Sequence, residues 1–201
     1  MLHDYAIFNH SRTAIGRYLG ILSFTFASTI TSLLAIFSKL TGNTLLAGAS
    51  ITSALVYIGL HWLFNNHFWT FKRLNIPVIN GIWTVRGETL NEDGTVKYNW
   101  KGEVDIEQNW EKISIALQTE KSSSESYTAT LSRKSGNKKE SILHYSYTNN
   151  PNIDEFEELN SHKGYCEMIF NKNATSAEAA YFNSNGRRTF GKMYLTKNED
   201  I

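Results

Sequence analysis

Two long stretches without a single Asp, Glu, Lys or Arg limit what this chain can become. Residues 18–38, YLGILSFTFASTITSLLAIFS, form the first, and residues 44–64, TLLAGASITSALVYIGLHWLF, the second. At 1.5 Å per residue, a helix of about 21 residues spans roughly 31 Å, the thickness of a bilayer's hydrocarbon core. Core helices of soluble proteins normally carry a polar stripe, whereas the polar residues here are mostly Ser and Thr. The first run is too long for the apolar segment of a signal peptide, and a second run follows it almost at once. The pair reads as a transmembrane helical hairpin, with KLTGN (39–43) as its turn.

A hairpin leaves both ends on one side. Arg12 and Arg17 precede it, Lys72 and Arg73 follow it, and the turn holds only Lys39. The positive-inside rule then places both termini in the cytoplasm. Cys166 is the single cysteine, which suits a reducing compartment. The Asn173-Ala-Thr175 sequon is then a chance match. A net charge of +1 and 19% charged residues conceal the division, because nearly every charge lies after residue 71. Residues 1–71 read as a membrane domain and 72–79 as a linker in which Pro77 stops the helix. Residues 80–201 form the rest.

From Gly81 the apolar period changes to two. Trp100, Gly102, Val104 and Ile106 share one face, opposite Lys101, Glu103, Asp105 and Glu107. Ile113, Ile115 and Leu117 fall together, as do Tyr127, Ala129 and Leu131, then Leu143, Tyr145 and Tyr147, then Gly164, Cys166, Met168 and Phe170. Trp83 and Val85 begin the series, and two strands around Tyr181 and Met193 end it. Turn signals separate about eight strands: NEDG, SSSE, KSGN, NNPN and NSNG. DEFEEL (154–159) alone suggests a helical turn. The expected fold is a compact eight-stranded antiparallel up-and-down barrel, lipocalin-like, which removes sheet edges and leaves room for one small ligand. GIW (81–83) resembles the G-x-W of lipocalins, whose Trp plugs one end.

No residue pattern suggests catalysis. The histidines lack metal-ligand spacing, no glycine loop cradles phosphate, and Cys166 sits among apolar neighbours as a core thiol. The open question is the last hairpin, SNGRRTFG (184–191). Asn185-Gly186 favours a two-residue turn. That pairing sets 183 opposite 188 and 181 opposite 190, so Tyr181, Asn183, Arg188 and Phe190 face inward and Arg187 outward. Met193 and Leu195 demand the other parity, so either a bulge lies near Gly191 or the register shifts by one. Both arginines remain candidates, with Arg188 preferred. An inward guanidinium needs an anion, and aromatic faces beside it suit a nucleobase carrying a phosphate. Trp83, Tyr145, Tyr147, Asn149, Tyr181, Arg187, Arg188 and Thr189 are the candidate ligand contacts.

Two N-terminal spans, then GIWTVRG, WKGEVDIEQNWEKISIALQTEKSSSESYTATL, LHYSYTNNP, HKGY and GRRTFGKMYL together resemble the two-transmembrane, β-strand-rich effectors of bacterial cyclic-oligonucleotide-based anti-phage (CBASS) systems. That resemblance implies a cyclic dinucleotide as activating ligand, made by a partner nucleotidyltransferase. It further implies homo-oligomerisation, disruption of the inner membrane and death of the infected cell. No nucleic-acid polymer and no metal are expected. Gly16/Gly20, Ser28/Ser32, Gly48/Thr52 and Ala49/Ser53 are small-x-x-x-small pairs through which spans could associate. The rival readings are a tethered carrier of an apolar molecule, which predicts a dry pocket, and an enzyme, for which only His162 offers an inward group.

Overall fold

The computed structural model describes residues 1–43, 51–134, 140–152, 161–184 and 188–198. The chain divides into two compact units: His10–Leu74, and Met1–Asn9 together with Asn75–Ile201. The first unit is helical. Helix α1, Arg12–Thr41, starts where the Ser11 hydroxyl accepts from the Ala14 amide at 3.1 Å and stops at Gly42, whose φ of 69° suits glycine. Helix α2, Ser53–Asn66, is capped in the same way by Thr52. Residues 44–50, with Gly48 and Ala49, lie outside the described residues. Among the described residues one helix, α1, is long and apolar enough to cross a membrane.

The hydroxyls of α1 are not left bare. Ser23, Thr25, Thr29, Ser32 and Thr41 each donate to the carbonyl four residues back, at 2.6–3.0 Å. That satisfies each hydroxyl inside its own helix, as an apolar solvent requires. Leu19, Ser23 and Ala27, four residues apart, form the buried stripe of α1.

The second unit holds nine strands: β1 (His3–Ile7), β2 (Gly81–Leu90), β3 (Val96–Gln108), β4 (Lys112–Thr119), β5 (Ser122–Arg133), β6 (Ser141–Pro151), β7 (His162–Phe170), β8 (Ser176–Ser184) and β9 (Phe190–Lys197). Each strand from β2 to β9 pairs antiparallel with the next, and β9 pairs with β2, so the sheet closes on itself. Period-two alternation then puts Trp83, Val85, Val104, Ile106, Leu131, Leu143, Cys166, Met168, Phe170 and Leu195 on one buried inner face.

Three features differ from the reading of the sequence. First, residues 3–7 belong to the sheet, not to a tail of the membrane half. Strands β4 and β5 pair only at Ala116↔Glu125, Leu117↔Ser124 and Gln118↔Ser123 before separating, and β1 fills the seam. It runs antiparallel to β4 and parallel to β5, with Tyr5 buried opposite Ala129. Where the strands part, the Ser126 hydroxyl accepts from the Ile115 amide at 2.9 Å, and His3 bonds that same hydroxyl at 2.8 Å. Second, an irregularity between Ser126 and Thr128 turns Tyr127 outward, where it is half exposed, and brings Ser124 and Ser126 inside. Third, β8 and β9 pair as Tyr181↔Gly191 and Phe182↔Phe190, one residue beyond a two-residue turn. Gly191, Met193 and Leu195 therefore face in, while Phe190 and Arg188 face solvent. Arg187, the Asn185-Gly186 turn and residues 154–159 lie outside the described residues.

A candidate ligand-binding cavity at one end of the closed sheet

One end of the closed sheet is sealed. Trp83 is fully buried, its indole N–H donates to the Ile79 carbonyl at 3.2 Å, and its ring meets the edge of Phe170 with centroids 5.2 Å apart. Trp83 is therefore a plug and is not among the residues that line the cavity at the other end. Six residues further along β2, about 20 Å away at strand rise, Thr89 lines a cavity of about 480 Å³. That volume is in the ordinary range for small-molecule sites, about 300–1,000 Å³.

The cavity is walled by rings. Tyr98 and Trp100 come from β3, Tyr145 and Tyr147 from β6, and Tyr181 from β8. Their positions follow from register. Tyr147 lies directly opposite Gly164, Trp100 opposite Gly87, and Tyr181 opposite Gly191. With no side chain beneath it, each ring can lie down against the wall. The Tyr147 hydroxyl crosses β7 and donates to Asn183 Oδ1 at 2.7 Å. Asn183 is itself paired with Gly164, and its amide donates to the Thr189 hydroxyl at 2.7 Å. Tyr181 repeats the pattern over β9. Its hydroxyl bonds that of Thr89 at 2.8 Å, and Thr89 is paired with the same Gly191. The Trp100 indole N–H closes the group on the Tyr181 oxygen at 3.3 Å.

Hydroxyls, amides and charges complete the lining. Ser122 and Ser124 line it from β5, Asn149 from β6 and His162 from β7, and Asn149 donates to Ser122 at 3.1 Å. Lys101 and Lys121 are the lining cations and Glu120 the lining carboxylate. Burial raises the phenols of Tyr145 and Tyr147 above their ordinary range, so both stay neutral. Beneath them burial pushes the Cys166 thiol up to about 12, which leaves it an inert core thiol. Two lysines and one carboxylate thus stand among the lining residues, and the walls offer flat π-faces.

Of the residues singled out from the sequence, Tyr145, Tyr147, Asn149, Tyr181 and Thr189 come together here. Arg188 is exposed and is not among the residues that line the cavity. The lining cations are instead Lys101, which strand parity had left on the outer face, and Lys121. Tyr98, Trp100, Asn183, Ser122 and Ser124 were also missed. The signal available for Trp100 and Asn183 was a glycine on the neighbouring strand, which becomes meaningful only with the register.

Comparison with known proteins agrees with this division of the chain. Residues 74–197 match the family model described as Cap15, cyclic dinucleotide receptor domain, and residues 13–70 match Cap15, TM helices. CD-NTase-associated protein 15 of Yersinia aleksiciae is 34% identical over 214 residues, covering 98% of each chain. The aromatic, polar cavity thus lies in the segment matched as a receptor, and the two uncharged runs lie in the segment matched as membrane helices. The chain belongs to the Cap15 family of CBASS-associated proteins, with a cyclic dinucleotide receptor domain and a transmembrane region.

Proposed function

We propose that this chain is a CBASS effector whose lipocalin-like barrel binds a cyclic dinucleotide in the cavity at its open end. The observation that carries the reading is the set of rings laid against a polar wall beneath two lysines. Nucleobases stack on such faces, and the lysines meet the phosphates. An apolar cargo would lie against the polar atoms of Asn183, Thr89, Ser124 and Asn149, which disfavours the carrier reading. The ligand comes from a nucleotidyltransferase acting as functional partner. The two apolar runs cross the inner membrane as a hairpin with both termini and the barrel in the cytoplasm. Binding then drives homo-oligomerisation, membrane disruption and cell death.

The spans retain surface for such association. A Cβ at Gly20 would meet nothing within 4 Å, and Ser28, Ser32, Thr52 and Ser53 are exposed within their unit. Gly16 sits near α2, with the Tyr57 hydroxyl 3.8 Å from an added Cβ.

The test is isothermal titration of the full-length protein in detergent with a panel of 3′,3′-cyclic dinucleotides of purine and pyrimidine bases. Saturable binding of at least one member, weakened by Trp100→Ala, is the expected result. Folded protein that binds no member would overturn the reading.

A further inference from the structure

Five glycines fall within the β strands, and the room around four of them has a pattern. At Gly102 an added Cβ would collide with the Gln118 backbone oxygen at 2.6 Å. At Gly191 it would strike the Glu88 backbone oxygen, inside 3.0 Å. Those two glycines serve the sheet itself, because backbone cannot yield without breaking a ladder. Gly87 and Gly164 are different. At Gly87 the nearest atoms, all within 3.0 Å, belong to the Trp100 indole. At Gly164 they belong to the Tyr147 phenol and to Asn183 Oδ1. A methyl group at either place first meets side chains, and those side chains wall the cavity.

We infer that Gly87 and Gly164 are positioning residues for the ligand: they hold the Trp100 and Tyr147 rings flat against the wall so that a base can stack on each. The inference rests on the cyclic dinucleotide reading and deepens it. An inward methyl lifts the ring from the wall and tips it into the cavity. At Gly164 it also parts the Tyr147 hydroxyl from Asn183, which are 2.7 Å apart, and so loosens the Asn183–Thr189 bond. The strand pairs Gly87↔Trp100 and Tyr147↔Gly164 need not change, because the three atoms nearest each added Cβ all belong to side chains. Base stacking on an aromatic side chain is worth about 1–3 kcal/mol by alanine substitution, so a ring held off its wall forfeits much of that.

The experiment is a pair of double-mutant cycles on the full-length protein, read by titration with the tightest-binding member of the 3′,3′-cyclic dinucleotide panel. Gly164→Ala is combined with Tyr147→Ala, and Gly87→Ala with Trp100→Ala; circular dichroism and thermal melts check that each variant is folded. Each glycine variant alone should weaken binding about 10-fold or more. In the background lacking its ring, the same glycine change should weaken binding less than about 2-fold, because its target is gone. A glycine with a merely structural role would cost the same in both backgrounds, and that result overturns the inference. So would wild-type affinity in folded Gly87→Ala and Gly164→Ala. If the wild type binds no member of the panel, the reading beneath falls and the inference with it.

Discussion

Trp83 and Trp100 occupy the same inner face of adjacent strands, yet one plugs the closed sheet and the other lines the cavity. The difference lies in what stands opposite. Trp83 is paired across the ladder with Val104, and Trp100 with Gly87. Beside Val104 the Trp83 ring stays upright in the core, wedged against Phe170, and spends its N–H on a backbone carbonyl. Over Gly87 the Trp100 ring lies flat and its N–H reaches the Tyr181 phenol. The same residue type therefore acts as core or as wall according to one cross-strand neighbour. The rest of each end follows suit: Ile106, Leu143, Met168 and Leu195 pack the sealed half, while phenols over glycines, amides and serines line the other.

This contrast can be broken in order of effect. Trp83→Ala should cost about 3–5 kcal/mol of stability, the usual toll for emptying a core aromatic site. Chemical denaturation followed by circular dichroism measures it, and a loss under 1 kcal/mol would mean that Trp83 is no plug. Trp100→Ala should reverse the balance, lowering ligand affinity by about 10- to 100-fold while the denaturation midpoint moves less than for Trp83→Ala. Equal losses of stability in the two variants would erase the distinction between the ends.

The mouth comes next. Removing both Lys101 and Lys121 by alanine substitution should weaken binding on the order of tenfold at low salt. The deficit should shrink as salt rises, because exposed charges are screened within about 10 Å at 0.1 M. Titrations at two ionic strengths read this directly, and a deficit unmoved by salt would argue that the lysines act through packing. Arg188→Ala should change affinity by less than about threefold, as expected of an exposed charge. A loss as large as that of the lysine pair would place the guanidinium in the site.

The smallest effect concerns Cys166. Its folded value is raised from about 9 to about 12, so the folded state holds the proton more tightly than the unfolded one. The resulting stability is fully present below about pH 9 and is lost as pH rises toward about 12. At pH 8 the native thiol should resist a disulfide reagent that labels it at once in denaturant. Rapid labelling of the folded protein would show that the core beneath Tyr145 is open.

Much of this fold was legible because period-two alternation survives on nearly every strand. Trp83, Tyr145, Tyr147, Cys166 and Tyr181 all face inward as parity demands. Three things were not legible, each for a physical reason. β1 is five residues long and has no alternation of its own to announce it; a seam between two distant strands creates its place. Tyr127 was misassigned because a bulge reverses parity without leaving a mark in local sequence. Arg188 was expected to face inward because Asn185-Gly186 favours a two-residue turn, whereas the inward demand of Met193 and Leu195 sets the register one residue later and leaves Arg188 exposed. The cavity's lysines and Trp100 belong to the same lesson, since which residues meet at a mouth depends on shear around the closed sheet and not on any one strand.

The most direct test of the account is hydrogen–deuterium exchange on the full-length protein with and without its tightest-binding cyclic dinucleotide. The account predicts new protection in residues 96–101, 145–149 and 181–183 around the cavity, with none added around Trp83 and Phe170. Protection confined to the sealed end, or absent from the cavity strands while ligand is bound, would contradict it.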